Sequence, residues 1–197
     1  VGSNEDAARV GAALRAELVE LGLVQEQGVA LGAEGAQGCV AGVGDLIQAR
    51  HNAWDLAGFD GNDGAPLNRQ TFRVTALRED GGLTVERAGG PAAGEALQLP
   101  AGYVAEHVTL AYASTVHAAQ GRTVDTSHAV VGTGMDAAAV YVALTRGRDG
   151  NTAWTVTRRV AEDSETGRTF EVEPRTARAV LDDLLEVAEQ QRSALSE

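Results

Sequence analysis

The stretch "YASTVHAAQGRTVD" (residues 112–125) places four hydroxyls, a histidine, a glutamine, a glycine and an arginine between two apolar runs. Before it, "HVTLAYA" (107–113) reads as a strand. After it, "TSHAVVG" (126–132) reads as a second strand, "MDAAAVYVALTRGR" (135–148) as a helix and "TAWTVT" (152–157) as a third strand. With "STVHAAQG" as a short helix, the order is strand, helix, strand, helix, strand, which argues for an α/β layer of parallel strands. Ligands of such sheets sit beyond the carboxyl ends of the strands, and "STVHAAQGRT" follows one such end.

Upstream the texture differs. "SNEDAARVGAALRAELVELG" reads as a helix, with Ser3 and Asp6 resembling a capping box and Gly22 placed for a left-handed C-terminal residue. Its residues Val10, Leu14, Leu18 and Leu21 share one face, which is expected to be the packed one. Residues 24–43 are glycine-rich, with a short strand expected at Val29 to Leu31. Strands follow near 45–50, 71–78, 83–87 and 95–99, with "EDGG" (79–82) as a hairpin turn. Short strands at this spacing suggest a small barrel or curled sheet. A last helix is expected from Pro174 to Leu195, with Ala177, Leu181, Leu184 and Ala188 on one face.

Composition narrows the function. The chain has 197 residues, 44% hydrophobic and 22% charged, as expected of ordinary globular domains. The single cysteine, Cys39, excludes a disulfide framework. No apolar run is long enough to span a bilayer, and "VGSNEDAARV" lacks a signal-peptide pattern, so the expected compartment is the cytoplasm, with no membrane partner. All 16 basic residues are arginine. A phosphate-binding P-loop needs a lysine, so this stretch of chain holds none. The net charge of −12 argues against gripping nucleic acid over the whole surface. Residues 101–160 nevertheless carry five arginines against four acids, whereas 161–197 carry ten acids against four arginines. A polyanion contact therefore belongs in the middle of the chain.

Each polar residue of the stretch also has a plain structural role open to it. Ser114 or Thr115 can cap a helix, Gly121 can make a turn, His117 can be an ordinary histidine, and Arg146 and Arg148 suit a helix C-terminus. A hydrolase triad from Ser114, His117 and Asp125 lacks the G-x-S-x-G elbow. His107, His117, His128 and Cys39 lack the paired spacing of a zinc site, so no metal site is expected.

"AYASTVHAAQGRTVD" resembles motif V of superfamily-one DNA helicases, and "VYVALTRGR", downstream at about the right distance, resembles motif VI. The branch it looks most like is the RecD-like one, as in conjugative relaxase-helicases of the TraI/TraA (MobF) type. "VGDLIQARHNAW", "LNRQTFRV" and the β region after them are similar to the insert that precedes motif V there, and "SNEDAARVGAALRAELVELG" looks like the helix after motif IV. The resemblance implies a C-terminal RecA-like, parallel-sheet α/β domain lacking the P-loop, with a small SH3-like β-barrel inserted. Residues 1–42 and 107–160 would form the RecA-like part, 43–106 the barrel, and 161–197 an acidic helical extension.

The same resemblance implies the site. Arg146 would be the catalytic arginine finger toward ATP, with Gln120, Gly121, Thr123 and Arg148 on the nucleotide side. Many relatives carry an acid where this chain has Thr123, so the resemblance fails at the position that would meet the ribose. Ser114, Thr115 and His117 would lie by single-stranded DNA, as would Arg50 and Asn52 of the insert. An SH3-like barrel can line the path of a separated strand, where Trp54 and Phe59 could stack on bases beside Arg50 and Asn52, but Trp54 is expected instead to fill the barrel core, and Tyr141 to pack. ATP and magnesium would be held mainly by an N-terminal P-loop domain, itself the expected partner together with a relaxase domain of the same chain. In isolation the fragment is expected to need no cofactor and to show no ATPase activity. The competing reading is a non-catalytic scaffold derived from a helicase half.

Overall fold

The computed structural model describes residues 1–33, 38–132, 135–155, 157, 160–162, 169–171 and 176–184. It is a mixed α/β structure in two compact units, Ser3–Ser114 and Val1–Gly2 with Thr115–Glu197.

In the first unit, α1 (Asn4–Glu20) begins at Ser3, whose hydroxyl accepts the Asp6 N–H at 3.0 Å. It ends in a Schellman motif: Gly22, at φ +71°, donates to Val19 O, and Leu23 donates to Leu18 O. Both ends follow the sequence pattern, but the packed face does not. Gly11 and Arg15 are the buried residues of α1, while Leu14 and Leu21 are 44% and 69% exposed. The reason is chemical: the buried face is built on a small residue and an ion pair, which a hydrophobic periodicity cannot register.

Next come β1 (Gly28–Ala30) and β2 (Val40–Gly42), an antiparallel pair. Strands β3 (Leu46–Ala49), β4 (Thr71–Leu77), β5 (Leu83–Arg87) and β6 (Ala96–Leu99) follow, then α2 (Ala101–His107) and β7 (Val108–Leu110). They form one antiparallel sheet in the order β6-β5-β4-β3-β7. The "EDGG" turn closes β4 and β5, with Gly81 at φ +82° and Asp80 accepting the Gly82 N–H. That bond, followed by Arg78, holds the exposed Asp80 carboxyl below its ordinary pKa. Alternation along β4 sends Phe72 and Val74 into a core with Ile47, Leu83, Val85, Leu97, Leu99, Val104 and Val108. Strand β7, grouped by the sequence reading with the later α/β layer, instead pairs antiparallel with β3 in this sheet.

Trp54 is not in that core. It sits on a 3₁₀ turn (Trp54–Leu56) and is 68% exposed, because Phe72 and the aliphatic strand residues already fill the interior.

In the second unit, α3 (Val116–Ala119) leads to β8 (Val124–Val131), and α4 (Ala137–Ala143) leads to β9 (Gly147–Thr155). Strands β8 and β9 are parallel, as the alternating pattern predicts. Val116, Ala129, Val131, Met135, Val140 and Ala143 make its core. Tyr141, expected to pack, is 70% exposed. β10 (Val160–Glu162) and β11 (Thr169–Glu171) pair antiparallel in a region expected to be a helical extension. Residues 177–184 are helical; Val180 is buried, and Leu181 and Leu184 pack on the core as expected. Pro174 and Ala188 lie outside the described residues. Among the described residues no helix is long and apolar enough to cross a membrane.

Candidate functional site

The 119–122 turn of the first motif and Arg146 of the second meet at the amino ends of β8 and β9. Thr115 caps α3, its side chain accepting the Ala118 N–H at 3.3 Å. The helix ends after one turn, because Gln120 (φ −60°, ψ 135°) and Gly121 (φ +80°) form a type II turn closed by Arg122 N–H to Ala119 O at 3.1 Å. The turn requires a left-handed residue at Gly121's position. Gln120, Gly121 and Thr123 are all exposed, as is His117. Ser114, by contrast, is the last residue of the first unit.

The second segment arrives from α4, capped by Asp136 on Ala139 N–H at 2.7 Å. At its other end Arg146 turns back on the helix. Its Nε donates to Val142 O at 2.8 Å, Nη2 donates to Thr145 Oγ1 at 3.0 Å, and Nη1 donates to Arg122 O at 3.4 Å. Val124 N–H donates to Arg146 O at 3.0 Å, which registers the two strand entries. Arg148 is exposed and 3.4 Å from Asp125.

Thr115, His117, Gln120, Gly121, Thr123, Arg146 and Arg148 thus belong to one unit, in which the 119–122 turn meets Arg146 at the entrances of the parallel strands. The stretch follows the carboxyl end of β7, which belongs to the other unit, and within its own unit it precedes the parallel ladder. The guanidinium of Arg146 uses three of its five N–H donors in these bonds. The arrangement therefore supplies an oriented, partly buried cation beside an exposed glycine turn, a combination suited to an anionic ligand.

Arg50 and Asn52 lie in the other unit. Both are exposed, and Asn52 Oδ1 accepts the Asn68 N–H at 2.7 Å. The sequence reading missed a buried network there. Asp45 is fully buried; its Oδ2 accepts from Arg15 Nε at 2.7 Å and from Gly42 N–H at 2.7 Å, and its Oδ1 accepts from Tyr112 Oη at 2.7 Å. Arg15 also donates to the Gln25 and Glu26 carbonyls. Burial, then the bond to Asp45, pushes the Tyr112 phenol up to about 12. The first residue of the quoted stretch is thereby fastened to the entrance of β3. Among the described residues no group of three or more His, Cys, Asp or Glu could hold a metal ion.

No family model matches the chain. Two proteins of Mycobacterium tuberculosis, Uncharacterized protein MT2373 (strain CDC 1551 / Oshkosh) and Uncharacterized protein Rv2311 (strain ATCC 25618 / H37Rv), are each 47% identical to it over 60 residues, 30% of this chain. The match spans 34% of either relative's length. Among solved structures, the chain is similar to Bacteroides Pif1 bound to ssDNA (24% identity, TM-score 0.43, covering 57% of this chain and 29% of that one). It is also similar to unliganded Pif1 from Bacteroides sp (22%, TM-score 0.37, covering 72% and 38%).

Proposed function

We propose that this chain is the C-terminal, RecA-like half of an ATP-driven single-stranded-DNA motor of the RecD-like branch, with residues 43–106 as its SH3-like insert. What supports this reading most is the meeting of the 119–122 turn with Arg146 at the entrances of β8 and β9. In this reading Arg146 approaches the terminal phosphate of ATP. A delocalised, permanently charged guanidinium suits the charge spread of phosphoryl transfer, and such a finger is worth on the order of 10³ to 10⁵ in rate. Gln120, Gly121, Thr123 and Arg148 face the nucleotide, while Ser114, Thr115 and His117 lie toward the DNA, so that one short loop meets both ligands.

With no lysine in the chain, the phosphates and the magnesium would be held by a P-loop domain elsewhere in a longer protein. The assignment to a conjugative relaxase-helicase, with a relaxase domain as partner, rests on the sequence resemblance.

The test is made in the longer, P-loop-containing protein. Arg146→Ala is expected to lower DNA-stimulated ATP hydrolysis by on the order of 10³ while ATP binding persists. Turnover near the parent's would remove Arg146 from the site. The 197-residue chain by itself is expected to hydrolyse no ATP. Turnover by it would refute the division of labour, and a longer protein without a P-loop would favour the scaffold reading.

A further inference from the structure

Gly147, the residue after Arg146, opens β9 at an irregular point of the ladder. Val124 lies opposite Gly147 and Thr126 opposite Gly150, so two residues of β9, Arg148 and Asp149, face one of β8, Asp125. This is a β-bulge, which bends a strand and re-aims the side chain beside it. Asn151 closes it. Its Oδ1 accepts the Gly147 N–H at 2.8 Å and its Nδ2 donates to Gly147 O at 3.0 Å, so one side-chain amide holds both backbone groups of the glycine. Ser127, opposite Asn151 in the ladder, places its hydroxyl 2.7 Å from Asn151 Oδ1 and 3.2 Å from Ala143 O at the end of α4. No side chain fits at 147: an added Cβ would collide with Gly150 O and lie 3.0 Å from Asn151 Oδ1 and from Ser127 N.

The peptide group that joins Arg146 to Gly147 is thereby bonded at both poles. Its carbonyl accepts the Val124 N–H at 3.0 Å, and its N–H donates to Asn151. A peptide is planar, so two bonds on opposite sides fix the orientation of the whole group, and with it the backbone from which the Arg146 side chain springs. Asn151 is exposed, and water could serve the Gly147 N–H and carbonyl in its place, so these bonds add little to stability. What they set is direction. The amide is also particular: it offers an acceptor and a donor side by side, whereas an aspartate would turn a carboxylate oxygen toward Gly147 O.

We propose that Asn151 is a positioning residue for Arg146, holding the Arg146–Gly147 peptide so that the guanidinium leaves the end of α4 on the side of the 119–122 turn. What Arg146 then acts on rests on the proposed function; that Asn151 holds it does not. Nothing in the sequence pattern marks Asn151, because its bond to a residue four positions earlier exists only where the bulge brings the two together.

In the longer, P-loop-containing protein, Asn151→Ala and Asn151→Asp are each expected to lower kcat for DNA-stimulated ATP hydrolysis about 10- to 100-fold, with KM for ATP unchanged within about twofold and a melting temperature near the parent's. In an Arg146→Ala background the same change at Asn151 should cost nothing further, since both act through one guanidinium. Thr152→Ala, at the next exposed position of β9, should leave kcat as in the parent. In the 197-residue chain the Arg146 Nε–H, which donates to Val142 O, is identified by its disappearance from the NMR spectrum of Arg146→Ala. It should exchange with solvent on the order of 10-fold faster in Asn151→Ala than in the parent. Unchanged Nε–H exchange, an unchanged kcat in a protein that Arg146→Ala disables, or an equal loss from Thr152→Ala overturns the inference. Should Arg146→Ala hydrolyse ATP at the parent's rate, the motor reading fails, and the exchange measurement still decides whether Asn151 holds Arg146.

Discussion

Replacing Asp45 by alanine removes a fully buried carboxylate that holds three elements of the first unit together. The carboxylate is fully buried and accepts three hydrogen bonds, from Arg15, Gly42 and Tyr112. Its removal leaves the Arg15 guanidinium against the Gln25 and Glu26 carbonyls alone, an uncompensated cation whose side chain is only 10% exposed. Breaking a buried pair from one side costs about 3–5 kcal/mol. The Gly42 N–H and the Tyr112 hydroxyl lose their acceptor as well, at about 1–3 kcal/mol for a buried donor left unmade, partly included in the first figure. A loss of about 4 kcal/mol is therefore expected. With a urea m-value of about 2 kcal/mol/M, the midpoint should fall by about 2 M. Urea unfolding followed by far-ultraviolet circular dichroism measures it. Arg15→Ala should cost about 3 kcal/mol, and the double variant clearly less than the sum, since the second deletion removes a charge already stranded. A loss below about 1 kcal/mol for Asp45→Ala, or additivity within about 0.5 kcal/mol, would show that the pair is not the buried unit described.

Three further outcomes follow from local geometry. Gly121→Ala meets nothing within 4 Å, so its cost is the left-handed backbone alone, about 1–2 kcal/mol, and hydrogen exchange should show faster opening of the Arg122 amide. Asn62 is buried, donates to Leu56 O and Gln98 O and accepts the Gln98 N–H, so it closes the β6 edge as an added strand would. Asn62→Ala is expected to cost about 2–3 kcal/mol in urea unfolding, and a loss under about 0.5 kcal/mol would deny the edge role. Burial raises the phenols of Tyr103 and Tyr112 to about 12. A folded pKa above the unfolded value means that their stabilising contribution is complete below pH 10 or so and is lost as pH rises through about 12. Absorbance titration at the phenolate band should show both ionising late, and Tyr112→Phe should delete one late proton; ionisation of both near pH 10 would refute the buried placement.

What the sequence made legible is what depends on neighbours along the chain. Ser3, Gly22 and "EDGG" act within a few residues of themselves, and each does what its spacing announces. The alternation of Phe72 and Val74 in β4 is equally local. The packed face of α1 escaped because Arg15 is buried by Asp45, 30 residues away, and a charge reads as solvent-facing until its partner is placed. Trp54 was misplaced for a related reason: size argues for the core, but the interior volume is shared out among residues of five strands, and the 3₁₀ turn falls outside them. In the candidate site, the Gly121 turn was readable from one residue type, whereas the meeting of Arg122 with Arg146 depends on the parallel register of Val124 against Gly147.

Arg146 joins the two readings that its sequence position left open. Capping a helix and stabilising a phosphate both call for a cation whose direction is fixed, and the guanidinium has donors enough for both. Its Nε bond to Val142 O and its Nη2 bond to Thr145 Oγ1 fix the plane, and the long 3.4 Å contact to Arg122 O is the weakest of the three. Giving up that contact costs least and frees Nη1, on the side of the 119–122 turn. A lysine would keep the charge but could not hold a planar fork against the helix end while presenting donors outward. The bonds at the C-terminal end of α4 thus hold the guanidinium in one orientation, and they limit the rotamer search that a free arginine would have to make on meeting an anion.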